Sequence, residues 1–241
     1  MLRAATGVTA PRKRSAAMKG DDRPVVIFGT LRSAALARYC LAQDTSLRVV
    51  AFTVDAAYAK GPEHEGLPLV PFEALESRYR PGDCRLLIPM GYQGLNGVRR
   101  ARYESAKARG YGFASYVSSR ASVWPDLVVG DNVLIYEHAI VQPFCRVGSN
   151  CIIRSGAHVS HHCEVGDHAF VAAEAAMGGG TSIGEQAFIG LAAVLRDDIR
   201  IAPRSFVGAG AVVVADTEPD GAYLGNPARR LDKTALEMCA P

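Results

Sequence analysis

The residues best suited to chemistry are two adjacent histidines, His161 and His162, and a glycine run that follows at a fixed distance. The histidines lie in Gly156-Ala-His-Val-Ser-His-His-Cys-Glu-Val-Gly166, and eighteen residues beyond His161 comes Gly179, within Met177-Gly178-Gly179-Gly180. An imidazole titrating near neutrality is a ready general base, and bare backbone amides are donors for a developing oxyanion. Brought together, they suit acyl transfer. A metal centre is the other chemistry histidines offer, and His138, His158 and His168 lie in the same region. Zinc needs imidazoles converging at fixed reach; on stacked coils they would differ by eighteen, and no pair here does. No metal is expected.

Uniting His161 with Gly179 requires a fold that returns to the same place every eighteen residues. From Val117 to Val213 an aliphatic residue recurs at every sixth position, seventeen times without a slip. Neither a helix, with its period of 3.6, nor a lone strand, with its period of two, yields a strict six. Six-residue repeats read as a parallel β-helix in which each hexad forms one flat wall and three walls close a coil. The glycines agree: Gly130, Gly148, Gly166 and Gly184 lie eighteen apart. Two residues before each aliphatic position the side chain is usually small, as at Ala139, Cys145, Cys151, Ala157, Cys163 and Ala169, so that bulky and small residues would fill a narrow interior at close-packed density. Two residues after it falls a corner, where Pro125, Pro143 and Pro203 sit without removing a ladder hydrogen bond. Asn132 and Asn150 take the next position, which suits left-handed backbone. His161 and His162 are therefore corner residues, pointing outward. Nearly six coils, stacked about 4.8 Å apart, would make the column.

Ahead of the repeats, strand and helix patterns alternate. Strands are expected over 25–29, 47–54, 67–70 and 85–90, with a helix over 33–41 opened by a serine cap at Ser33, a helical turn over 72–79 and an amphipathic helix within 96–109. That order implies a small, mostly parallel, Rossmann-like sheet. Ligands of such sheets bind beyond the carboxyl ends of the strands, which here are Gly29-Thr30-Leu31-Arg32, Asp55 after Val54, and Gly91-Tyr92. The first would offer helix N-terminal amides to an anion, although it is not a GxGxxG turn. These residues are the expected sugar- or nucleotide-binding set. The expected division is a disordered basic tail over 1–22, the Rossmann-like domain over 23–114, the β-helix over 115–216 and a C-terminal loop with a short helix over 217–241; Met18 is a candidate true start.

The chain has 241 residues and a net charge of +3, too mild to imply nucleic-acid binding by itself. No apolar stretch approaches the roughly 20 residues of a membrane span. Six cysteines without a CxxC pair read as reduced thiols of a cytoplasmic protein.

Several segments together resemble the NeuD/PglD-type sugar acyltransferases: the strand-first domain, the hexapeptide prism, the histidine corner, the Ile189-Gly190 and Val207-Gly208 steps, and the ending Leu224-Gly225-Asn226-Pro227-Ala228-Arg229-Arg230. The likeness runs from about residue 25 to 231. Gly-Tyr-Gln-Gly-Leu-Asn (91–96) and Ser-Gly-Ala-His-Val-Ser-His-His (155–162) look like a branch found among surface-polysaccharide genes. The resemblance implies a left-handed β-helix, a cyclic homotrimer with active sites between neighbouring prisms, and acetyl-CoA as donor. It places the general base on His161, or on His162 beside it, with Glu137, Glu164 or Glu174 to orient it. Coenzyme A contacts fall along Gly179, Gly190, Leu191, Gly208 and Ala209, with Arg196, Arg204, Arg229 and Arg230 for the phosphates. Three departures stand out: His162 follows the base where the family has an acidic residue, Phe170 replaces a second histidine, and Thr30-Leu31-Arg32-Ser33 replaces a glycine-rich nucleotide turn. The implied activity is N-acetylation of a nucleotide-linked amino sugar, with sugar O-acetylation or a non-catalytic scaffold as alternatives.

Overall fold

A computed structural model describes residues 21–239. The expected basic tail lies, through residue 20 and including Met18, outside the described residues.

The N-terminal part forms β1 (Val25–Phe28), α1 (Arg32–Asp44), β2 (Val49–Val54), β3 (Glu63–His64), β4 (Leu67–Pro71), β5 (Arg85–Leu87), α2 (Gly97–Ala108) and β6 (Gly112–Phe113). Its sheet runs β3-β4-β2-β1-β5-β6, parallel throughout except for the β3–β4 pair. β1 is buried at all four positions, as the run VVIF requires of a central strand. One expectation fails in detail: Ser33 does not cap α1. Leu31 stands at the cap with no side-chain hydrogen bond, and the helix begins at Arg32.

From Tyr116 onward, two-residue strands stack in three parallel walls with a register of eighteen. Leu134 pairs with Ile152, Ile152 with Phe170 and Phe170 with Phe188 on the first wall. Ile140, His158, Ala176, Val194 and Val212 line the second, and Val128, Arg146, Glu164, Ser182 and Arg200 the third. This is the expected left-handed parallel β-helix beside a small parallel-sheet domain. Its interior is a single apolar column alternating Val, Ile, Leu or Met with Ala and Cys. Every corner position from Asn132 to Gly210 at six-residue spacing has positive φ, between 51° and 72°. Only some of these are Gly or Asn; His138, Phe144, His162, Glu174 and Ala192 also adopt the left-handed conformation, which costs roughly 1–2 kcal/mol for a residue with a Cβ. The ladder above and below holds them there.

The C-terminal segment holds more than the expected loop and short helix. Gly221–Leu224 and Arg229–Thr234 form an antiparallel hairpin that extends the first wall. The helix α3 (Ala235–Met238) follows, started by a capping box between Thr234 and Glu237.

The sheet domain covers the outer face of the first wall. Leu134, Ile152, Phe170 and Phe188 join its core with Ile27, Leu41, Phe52 and Leu87. Two corner asparagines fix the docking. Asn132 makes a paired contact with the Ile88 backbone, donating to its carbonyl and accepting from its amide, and also bonds Asn150, which in turn reaches His168 Nδ1 at 2.8 Å. Arg99 of α2, fully buried, donates to the carbonyls of Met90, Gly91, Asn150, His168 and Ala169. Burial pushes its pKa down to about 10, which leaves it charged at neutral pH.

Candidate active site

His161 and His162 occupy the corner between the second and third walls. The His161 amide donates to Gln142 Oε1 at 2.9 Å and its carbonyl accepts from the Gly180 amide at 3.0 Å. The His162 amide donates to the Pro143 carbonyl one coil below, and its ring lies 4.7 Å from that of Phe144. Backbone on both sides is thus pinned by the coil stack. The two imidazoles meet through their Nδ1 atoms at 3.2 Å, with ring planes 83° apart. His161 Nε2 has no hydrogen-bond partner among the described residues, and His161, His162, Gly179, Gly180, Asp197 and Asp198 line a cavity of 360 Å³.

Gly179 is glycine for a steric reason. A Cβ there would lie 2.5 Å from His161 Cε1 and 3.0 Å from Nε2. The imidazole rests against bare backbone, as the spacing of eighteen foretells. The amides themselves are not free. Gly179 N–H donates to Asp197 Oδ1 at 2.8 Å, Gly178 N–H to the Leu195 carbonyl and Gly180 N–H to His161. The expectation of an open oxyanion donor here is therefore corrected, because the carboxylate one coil up has taken the amide. Nor does a glutamate orient the base. Glu137 accepts instead from Ser155 Oγ at 2.8 Å, Glu174 lies against Gly156 and Glu164 is exposed on the third wall; the partner of His161 is His162. Asp197 and Asp198 were missed from sequence. The repeat could have found them, since 161, 179 and 197 form one column and 162, 180 and 198 the next.

The remaining expected site residues fall in two other places. Gly190, Leu191, Gly208 and Ala209 lie at the corner between the first and second walls, with Leu191 exposed. Of the cofactor set only Gly179 shares the His161 corner. Arg229 is exposed at the start of the hairpin's second strand, while Arg204 is held by Asp220 at 2.6 Å and Arg230 by Glu218 at 3.4 Å. Gly29, Thr30, Leu31 and Arg32 form the β1–α1 turn, with Gly29 at φ 117°. Asp55 is ion-paired with Arg102 at 2.5 Å. Gly91 gives its carbonyl to Arg99, and Tyr92 packs on Phe188 at 4.4 Å and Phe170 at 5.4 Å. Phe170, Phe188 and Phe206 continue as an aromatic ladder up the first wall. Of these strand-end residues Tyr92 packs on the first wall, and none lines the His161 cavity. One chain thus carries the parts of the expected site on separate edges.

All six cysteines are free thiols. Among the described residues no three His, Cys, Asp or Glu side chains converge as metal ligands, and no helix is long and apolar enough to cross a membrane.

Comparison with known proteins gives this arrangement a class. The family described as bacterial transferase hexapeptide (six repeats) matches residues 126–161 and 144–179. No curated protein matches the sequence. Repeat, sheet domain and solved relatives define a left-handed β-helix acyltransferase. PerB from Caulobacter crescentus, solved in complex with CoA and GDP-perosamine, is 28% identical over 86% of this chain and 97% of that one, with a TM-score of 0.78. A histidine-to-asparagine mutant of perosamine N-acetyltransferase from the same organism, also with CoA and GDP-perosamine, is 27% identical over 87% and 97%, at 0.79. The acetyltransferase domain of PglB from Neisseria gonorrhoeae is 24% identical over 87% and 100%, at 0.75, a likeness of fold. In its repeats and its sheet domain the chain resembles the sugar acyltransferases of the NeuD/PglD type.

Proposed function

We propose that this protein transfers an acetyl group from acetyl-CoA to the amine of a nucleotide-linked amino sugar in glycan assembly, with His161 as general base and the site completed by a neighbouring copy in a cyclic trimer. The observation that carries this reading is the imidazole of His161 resting on Gly179 in a cavity walled by two carboxylates. The relatives crystallised with CoA and GDP-perosamine support the donor and the acceptor class.

In the transfer, the neutral amine attacks the thioester carbonyl, His161 Nε2 accepts the amine's proton as the C–N bond forms, and the C–S bond breaks. The proton then goes to the departing thiolate, giving an amide and free coenzyme A. Asp197 and Asp198, with no lysine or arginine among the residues lining the cavity, favour an acceptor that arrives as an ammonium, and gives one proton to solvent before the neutral amine attacks, over a neutral hydroxyl. That favours N- over O-acetylation. No step is assigned to the Gly179 amide while Asp197 holds it; the glycine's part is to leave room for the ring.

The division of the expected site over two edges of the second wall supports the trimer. Its outward residues, Ile140, His158, Ala176, Val194 and Val212, carry no carboxylate, lysine or arginine, and Ile140 and Val194 are exposed. The first wall is covered by the sheet domain and the third carries Arg146, Glu164 and Arg200. A threefold axis facing the second wall sets the His161 corner of one copy against the Leu191–Ala209 corner of the next. A cytoplasmic setting accords with acetyl-CoA as donor and with the free thiols.

His161→Ala should lower turnover at least about a hundredfold with the oligomer intact, measured as thiol release from acetyl-CoA in the presence of nucleotide-linked amino sugars. Near-wild-type turnover would reassign the base. Mass spectrometry of the product after mild alkali distinguishes a surviving amide from a hydrolysed ester.

A further inference from the structure

The two Nδ1 atoms of His161 and His162 stand 3.2 Å apart. A neutral imidazole carries its proton on one nitrogen and a lone pair on the other. At this separation two lone pairs cannot face each other without repulsion, so one of the Nδ1 atoms must hold a hydrogen. The choice has a chemical consequence. With the hydrogen on His161 Nδ1, the lone pair is on Nε2, which has no hydrogen-bond partner among the described residues and can take a proton. With the hydrogen on His162 Nδ1, His161 must carry its own proton on Nε2 and cannot act as a base.

We infer that His162 is a positioning residue: its Nδ1 accepts from His161 Nδ1–H and thereby fixes the base-competent tautomer of His161. The inference rests on His161 being the base. His162 is built for this role. Its amide is tied to Pro143, its backbone is locked at φ 58° by the corner, and its ring packs against Phe144 at 4.7 Å with the planes tilted by 38°. When His161 takes the acceptor's proton it becomes a cation, and the same contact becomes a charge-assisted hydrogen bond, stronger in the transition state than before it. An orienting partner that selects the tautomer is the part a carboxylate plays in hydrolase triads; here a second imidazole fills it. The titratable groups facing the pair are Asp197 and Asp198 from the coil above, while Asp126 below accepts from the Phe144 amide.

The test is two-bond proton–nitrogen correlation spectroscopy of the full chain with nitrogen-15-labelled histidine at a pH where both rings are neutral, with turnover measured alongside. Two variants suit the left-handed backbone: His162→Gly removes the acceptor, and His162→Asn replaces it with an amide oxygen close to the Nδ1 position. The expected result is a Nδ1–H tautomer for His161 in the wild type, replaced by Nε2–H in His162→Gly. With that change kcat should fall at least tenfold at unaltered KM for acetyl-CoA. His162→Asn should restore the Nδ1–H tautomer and at least fivefold of the lost kcat. An Nε2–H tautomer for His161 in the wild type, or an unchanged kcat in His162→Gly, overturns the proposal. Failure of the underlying assignment shows separately, as full turnover in His161→Ala.

Discussion

Gly179→Ala isolates the steric half of the site. The added Cβ would lie 2.5 Å from His161 Cε1, 3.0 Å from Nε2 and 3.1 Å from Nδ1, whereas ordinary contact begins near 3.4 Å. The ring must therefore retreat by about 0.9 Å. His161 lines a cavity with room for the ring to move, so the coil should persist and the cost should appear in catalysis. A displacement of about 1 Å at a reacting group costs on the order of a hundredfold, or about 2.7 kcal/mol in transition-state stabilisation. Turnover by thiol release, compared with Gly82→Ala, where nothing lies within 4 Å of the new methyl, measures it. Far-ultraviolet circular dichroism should match wild type in both. A Gly179→Ala enzyme within threefold of wild type would show that the base does not work from the position its ring occupies here.

Arg99→Met should destabilise the protein by about 3–5 kcal/mol, since five carbonyls, three of them in buried bonds, lose their donor; urea unfolding gives the value, and a loss below 1 kcal/mol would contradict the clamp. Burial holds the His168 imidazole below its ordinary range, so its contribution is complete above the unfolded value of about 6.5 and is lost as the pH falls below it. The urea midpoint should accordingly fall between pH 7.5 and pH 5, and fall less in His168→Asn, an exchange the left-handed backbone tolerates. Ile140→Glu places a charge on the apolar second wall and should yield a lone protomer by sedimentation; an unchanged oligomer would move the threefold axis to another face.

The prism was legible because its interior admits one pattern. A column that narrow needs a bulky and a small side chain in fixed alternation, so period, wall number and corner positions all follow from Val117 to Val213. The same arithmetic reached His161 against Gly179 but not Asp197, because a carboxylate reaching down to an amide depends on a side-chain torsion that spacing does not encode. Docking was hidden for a different reason. Arg99 on an amphipathic helix reads as a solvated charge, and only the register of α2 against the Asn132–Asn150–His168 column reveals that it is enclosed. The asparagines were understood for their backbone angle and not for their amides, which carry the contact with Ile88. Ser33 has the right chemistry for a helix cap, yet the turn out of β1 closes two residues earlier. The C-terminal hairpin escaped because Gly225, Pro227 and alternating charges look like loop until an open edge of the first wall offers partners.

The eighteen-residue register also governs how such a chain can change length. Deleting one residue anywhere between Val117 and Val213 would turn every later interior side chain toward solvent and move every later left-handed residue off its corner position. Losing a whole hexad between His161 and Asp197 keeps inside and outside correct but rotates the remainder by a third of a turn, carrying the carboxylates away from the histidine they now sit above. Only additions or losses of a full coil leave the chemistry aligned, so lineages of this protein should differ by complete storeys, with irregular insertions confined to the outward corners.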